Sequence, residues 1–388
     1  MGVGSRGVSN FTYTSRGTAV GVSGPAGVGG VAVRVQQFSP LELFSGGEQG
    51  GWYNPIDLST LFQDAEGTTP VTANGDPAGL VLDQSPNDNN ASQSISARRP
   101  TYNTNPSRLS LDKVDDALII TVPAGGWDGT MVLATDDGTA SYGISIAAGA
   151  YTLGGVYFPG SAIVGAVFRD GALSAGEAAN TEDYFVENGA TASYGGVSDF
   201  SNYWRGRSEI TEFPLIDTSS GTTFSRAWYG CGSLTSFPLI DTSSGTDFQA
   251  TWRDCTSLTS FPLLDTSSGT NFQETWFGCS SLTSFPLIDT SSGTNFQQTW
   301  GGCSSLTSFP ANFFDNIKGG NLDSAFTNTA LTEASIDGIL VSLVASGISA
   351  GTRLFGQSGG SAPSVGTGQP AIDTLRLRGW TVTVTGGY

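Results

Sequence analysis

Four aspartates, Asp217, Asp241, Asp265 and Asp289, recur at intervals of 24 residues. If the intervals stack as coils, four carboxylates stand about 4.8 Å apart. Such a row could hold Ca2+ or accept hydrogen bonds from sugar hydroxyls. Each Asp, however, opens the run Asp-Thr-Ser-Ser-Gly-Thr, where Asp caps its own backbone and Gly supplies a positive φ. Turn capping is therefore the preferred reading, and no cofactor is expected. Cys231, Cys255, Cys279 and Cys303 share the interval. Zinc sites want CxxC-type spacing, and stacked rungs hold Cβ atoms wider apart than the ~3.8 Å a disulfide prefers. Buried, reduced thiols are expected. Trp228, Trp252, Trp276 and Trp300 could form a sugar-stacking platform, but a Phe four residues before each favours a core ladder. Asp115-Asp116 and Asp136-Asp137 fall at strand ends or turns, with nothing to set two carboxyls ~5–9 Å apart across a cleft. No catalytic residue and no metal ligand is assigned, and the chain is read as not an enzyme.

Composition narrows the field further. The 388 residues contain no histidine, so triads and His-ligated metal centres are excluded. With 34 acidic against 16 basic residues the net charge is −18, which repels phosphate backbones and argues against nucleic acid. Apolar runs such as Ala117–Val122 are far short of the ~20 residues a membrane span needs. The first residues, MGVGSRGVSNFTYT, lack the apolar region of a secretory signal.

The elements that place these residues repeat. Phe-Pro recurs at 213, 237, 261, 285 and 309 with no insertion. A fixed period in this range implies stacked coils, each burying its apolar face on its neighbours. Leu-Thr-Ser-Phe alternates as a short strand does. Phe296 and Trp300, four apart, are expected on about one helical turn. The positions that differ between coils are the candidate recognition face: Arg226, Tyr229, Gln249, Arg253, Asp254, Gln273, Glu274, Phe277, Gln297 and Gln298. The structural ladders are Trp228, Trp252, Trp276 and Trp300, then Cys231, Cys255, Cys279 and Cys303, then Phe237, Phe261, Phe285 and Phe309.

The unit CSSLTSFPLIDTSSGTNFQQTW resembles the leucine-rich repeats of the Bacteroides surface antigen type (BspA-like). The match covers about 110 residues. It implies a solenoid used for ligand binding or adhesion, without catalysis. Arg207 stands where the pattern wants Cys, as suits a capping coil. Downstream, Phe326 takes the Trp position in a last, shifted unit. Thr332 caps a helix with Ile336, Ile339, Leu340, Leu343 and Val344 on one stripe, closed by Gly347. A loop over Gly356–Gly368, a short helix near Pro370–Arg378 and a strand from Trp380 to Thr385 follow. These resemble the cap after such repeats in phage and bacterial surface proteins.

Before the repeats, residues 1–38 are rich in Gly, Ser and Val and read as a docking arm. The run LFSGGEQGGWYNPIDLSTLFQDAEGTTPVT resembles a segment near the N-terminus of many phage virion proteins. Taken alone it is irregular, with Phe44, Trp52, Tyr53 and Phe62 as anchors. Strands are expected at Ala117–Val122, Thr130–Thr135, Thr139–Ile146, Tyr151–Phe158 and Ala162–Asp170, with an Asp-Asp-Gly turn between the second and third. They suggest a small antiparallel sandwich, weakly similar to concanavalin-like modules of phage appendages. Ser174 and Glu177 form a capping box that opens a helix to Asn188, stopped by Gly189 and joining sandwich to repeats.

The expected organisation is mainly β with short helices: an arm (1–38), a phage-type docking segment (39–107), a β module ending in a helix (108–190), a leucine-rich-repeat solenoid (191–311) and an α/β cap (312–388). The resemblances imply a bacteriophage virion structural protein assembled in the bacterial cytoplasm. A tail fibre or spike with a receptor-binding, host-adhesion role comes first, and a capsid decoration (head-fibre, cement) protein is the alternative. A bacterial surface adhesin and a depolymerase are weaker readings. Expected partners are other virion proteins through the N-terminal region, a host-surface glycan or protein, and further copies of the chain, taken as a trimer. Neither nucleic acid nor a membrane span is expected.

Overall fold

The computed structural model describes residues 38–104, 107–155, 159–160, 162–188, 190–349 and 351–388. Apart from Phe38 the expected arm lies outside the described residues. So do Gly189 and the end of the strand expected at Tyr151–Phe158.

The described chain is mainly β, with two open antiparallel sheets in its first half. The first runs in the order Ile210–Glu212, Thr139–Ile146, Trp127–Thr135, Ala162–Asp170, Arg108–Ser110, Thr101–Asn103, and Gly50–Tyr53 also pairs with Ala162–Asp170. The second orders Gly149–Gly154, Ala117–Val122, Ala91–Ser92, Leu80–Val81, Leu61–Phe62. Alternation along the strands turns Met131, Leu133, Tyr142 and Ile144 inward, into one core with Leu118, Ile120, Val122 and Leu153 of the second sheet. Val132, Ala134, Val164 and Val167 point outward and are covered by Leu43, Phe44, Trp52 and Phe185. Helix α1 (Ala175–Glu187) supplies Phe185 and opens with the expected capping box, Ser174 with Glu177. Lying in the chain between Ala162–Asp170 and the repeats, it packs across the outer face of the first sheet. A bulge between Ile163 and Gly165 makes room for it. A Cβ on Gly165 would stand 2.1 Å from the Phe185 ring.

Residues 39–107 are not a separate body. Gly50–Tyr53 and Thr101–Asn103 complete the first sheet, and three two-residue strands extend the second. The boundary expected at 107/108 falls inside a hairpin that pairs Thr101–Asn103 with Arg108–Ser110.

From Asp199 onward, equivalent residues of the 24-residue units lie over one another. Bridges run Asp199–Thr223–Asp247–Asn271–Asn295. Trp204, Trp228, Trp252, Trp276 and Trp300 stack at 5.2–5.7 Å between centroids. The Phe after each Trp closes against the stack edge-on, as Phe237 does on Trp228 at 4.8 Å. The helical turn expected between Phe296 and Trp300 is absent. Arg226, Ala250, Glu274 and Gln298 have φ of 52–57°. The N–H groups of Phe224, Arg226, Trp228 and Gly230 donate to carbonyls of the next coil, those of Asp247, Gln249, Thr251 and Arg253. Stacking captures donors that a helical turn would have used within its own coil. The expected Leu-Thr-Ser-Phe strand is reduced to single bridges such as Ser284–Ser308, because the Pro that follows has no N–H to extend a ladder.

Ile210–Glu212 pairs with Thr139–Ile146 and so fixes the first repeat unit to the edge of the first sheet. At the far end Phe326 stacks on Trp300 at 5.0 Å. Gly320–Phe326, Arg353–Gln357 and Thr381–Thr383 form a parallel sheet beside α2 (Glu333–Ala345, capped by Thr332) and α3 (Gly368–Leu377). Arg353–Gln357 extends into the expected loop. Its Gly356 lets the Ser324 backbone approach to 2.6 Å from where a Cβ would stand. Among the described residues no helix is long and apolar enough to cross a membrane.

Candidate recognition face

The ten variable residues all fall on one half-buried strip of the stack. Backbone bonds place them in register: Arg226 N–H donates to Gln249 O, Glu274 N–H to Gln297 O and Asp254 N–H to Phe277 O. Arg253 sits at the centre. Its guanidinium lies 5.5 Å from the Tyr229 ring centroid and 4.7 Å from that of Phe277. It also pairs with Glu274 and, at 3.4 Å, with Asp254. Burial works against its charge, but the Glu274 hydrogen bond and charge outweigh it and raise the Arg253 pKa. One coil back, Arg205 stacks on Tyr229 at 4.8 Å. Tyr229 is thus held between two guanidiniums, and the strip alternates Arg205, Tyr229, Arg253, Phe277. Gln249, Gln273, Gln297 and Gln298 flank it, and Gln273 Oε1 accepts from Asn295 Nδ2 at 3.4 Å.

The ladders beneath are closed to solvent. The four tryptophans have no exposed surface, so no sugar reaches their faces. The four cysteines are free and buried. Each thiol donates to the Trp carbonyl of the preceding coil at 3.1–3.2 Å. Burial pushes the Cys303 thiol up to about 12 and holds the other three well above the ordinary value. Thr251, Thr275 and Thr299 donate likewise to Phe carbonyls. The aspartate row faces water, and Asp217, Asp241, Asp265 and Asp289 each accept from the backbone N–H two residues on. The Ser219 and Ser267 hydrogen bonds lower the pKa of Asp217 and Asp265.

The paired aspartates are likewise engaged in turns. Asp112, Asp115 and Asp116 lie within 4.8 Å of one another, but Asp112 accepts three backbone N–H groups of its own turn and Asp115 pairs with Arg98. Asp136 accepts from Ala162 N–H, and Asp137 accepts from Tyr203 Oη at 2.6 Å, which ties the turn to the first coil.

Sequence comparison of the coils stops at Arg226 because the first coil is degenerate. It therefore leaves out Arg205 and Glu209 and takes Arg207 only as the mark of a capping coil, whereas all three belong to the same side of the stack. The readable signal was Arg207 in a cysteine rung and Arg205 exactly one period before Tyr229. Compared with models of known protein families, with curated proteins and with solved structures, the chain matches none.

Proposed function

We propose that this chain is a bacteriophage virion structural protein whose coils, stacked as a leucine-rich-repeat-type solenoid, recognise the host surface. One observation carries the reading. The Trp, Cys and Phe ladders, the capped Asp turns and an exposed leucine row repeat unchanged, whereas the large polar and aromatic substitutions between coils gather on a single half-buried strip. A purely structural stack has no need to concentrate its differences there. The resemblance of residues 43–72 to phage virion segments supplies the particle, and the coil pattern supplies the adhesive class. Shallow repeated surfaces of this kind gain strength from avidity when several copies are displayed.

A second reading, capsid decoration, draws on a different feature. Leu215, Leu239, Leu263 and Leu287 form an exposed row, 55–72 % accessible, which a neighbouring coat protein could cover. Gold-labelled antibody against residues 200–310 on purified virions separates the two. Label at the tail tip is the expected result. Label spread over the head would replace recognition by decoration, and unlabelled particles would contradict both.

A further inference from the structure

A cavity of about 310 Å3 opens at the seam between the edge strand Gly149–Gly154 and the first coil, lined by Tyr151, Thr152, Arg205, Arg207 and Glu209 among others. Its floor is one polar network. Tyr151 Oη donates to Glu209 Oε1 at 3.0 Å, and Arg207 pairs with the same oxygen at 3.4 Å. Arg207 also donates to Gly154 O at 3.4 Å. The Arg207 and Glu209 side chains are each 13 % exposed. Arg207 occupies the rung that cysteine fills in the next four coils. A cysteine there would extend the thiol ladder at no electrostatic cost. An arginine needs a buried counter-charge, and Glu209 supplies it.

The distribution of charge points the same way. In a chain of net charge −18, every basic residue between 197 and 310 lies at this cavity or on the variable strip: Arg205, Arg207, Arg226 and Arg253. Tyr229 cannot offer a stacking face, since Arg205 and Arg253 cover it. Recognition therefore falls to guanidinium edges, whose fork matches a planar carboxylate. Glu209 at the floor disfavours the larger charge of a phosphate. The exposed Thr152 hydroxyl is a partner for a sugar hydroxyl, while the Tyr151 hydroxyl and the Gly154 carbonyl, held by Glu209 and Arg207, brace the floor. The volume stands at the lower end of the ~300–1,000 Å3 range of small-molecule pockets, which suits one sugar ring.

We propose that the seam cavity binds the carboxylate-bearing residue of an acidic saccharide, with Arg205 at its mouth and Arg207 at its floor. This takes its ligand class from the recognition reading, but the cavity itself can be tested on purified protein, away from any particle. The full-length chain is titrated by calorimetry with D-glucuronate, D-glucose and inorganic phosphate. Three variants are compared: Arg205→Gln, Arg207→Cys, which restores the repeat residue, and Thr152→Trp, which fills the mouth from an exposed position. Saturable glucuronate binding is expected, about 10-fold or more tighter than glucose or phosphate and weakened by a similar factor in each variant. Should Arg207→Cys fail to fold, Thr152→Trp decides. No saturable glucuronate binding, equal binding by phosphate, or undiminished binding in Thr152→Trp would overturn the proposal. A dry cavity in a protein that still adsorbs to host cells would remove this site and leave the recognition reading standing.

Discussion

Asp254 adopts a backbone conformation that its counterparts reach without a side chain. Its φ is 60°, where Gly206, Gly230, Gly278 and Gly302 stand at 73–76°. A side chain in this region costs on the order of 1 kcal/mol, and a half-exposed ion pair with Arg253 returns little. Asp254→Gly is therefore expected to leave urea stability within about 1 kcal/mol of the parent, or to raise it, while weakening binding to host cells. A loss well beyond 2 kcal/mol would make the residue structural. Arg253→Gln carries the opposite expectation. It uncovers faces of Tyr229 and Phe277 and removes the partner of Glu274, so a loss of about 1–2 kcal/mol should appear in the same measurement. At this scale the sequence was informative where coils could be aligned. It was silent where a site draws on a distant strand, as the seam cavity draws on Tyr151.

The ladders make a claim about pH. Folded thiols with raised pKa values hold their protons where unfolded thiols lose them. The stability they contribute is thus complete below about pH 8.5 and is lost as pH rises toward 12, by about 1.4 kcal/mol per pH unit per thiol. The urea midpoint should stay level with respect to the thiols from pH 6 to 8 and fall above about pH 9. A thiol reagent at pH 8 should label none of the four cysteines until the protein is unfolded. Rapid labelling of the native state would contradict their burial. In the first sheet, Gly165→Ala drives a methyl into Phe185 and should cost about 1–3 kcal/mol. Long alternating strands, the capping boxes and the Thr332 helix could be read directly, because their signals are local. The strands of two to four residues from Gly50 to Asn103 could not, since pairing creates them: Gly50–Tyr53 with Ala162–Asp170, Ala91–Ser92 with Ala117–Val122, Thr101–Asn103 with Arg108–Ser110, and the other two-residue strands with one another and with Ala91–Ser92. The αL residue in each coil was hidden for a related reason: Arg, Ala, Glu and Gln give no local sign of positive φ, and only stacking selects it.

Across the described residues, two open antiparallel sheets that share a core are followed by 24-residue units whose equivalent residues lie over one another. If the units are equivalent solenoid coils, removing one full period, residues 245–268, brings like residues back into register. That shortened chain should fold cooperatively, with circular dichroism per residue unchanged and the cap intact. Removing half a period should not give a folded product. The central claim is that the variable strip, not the stack as such, recognises the host. The most direct measurement is adsorption of purified protein to host cells, comparing the parent with a chain whose strip residues in every coil are those of Gln297, Gln298, Gly301 and Gly302. These residues already occur in a folded coil, so the control is a single cooperative unfolding transition in both proteins, the homogenised chain being less stable by the amount that loss of Arg253 accounts for. The account predicts that adsorption is lost while unfolding is retained. Equal adsorption by the two proteins would contradict it.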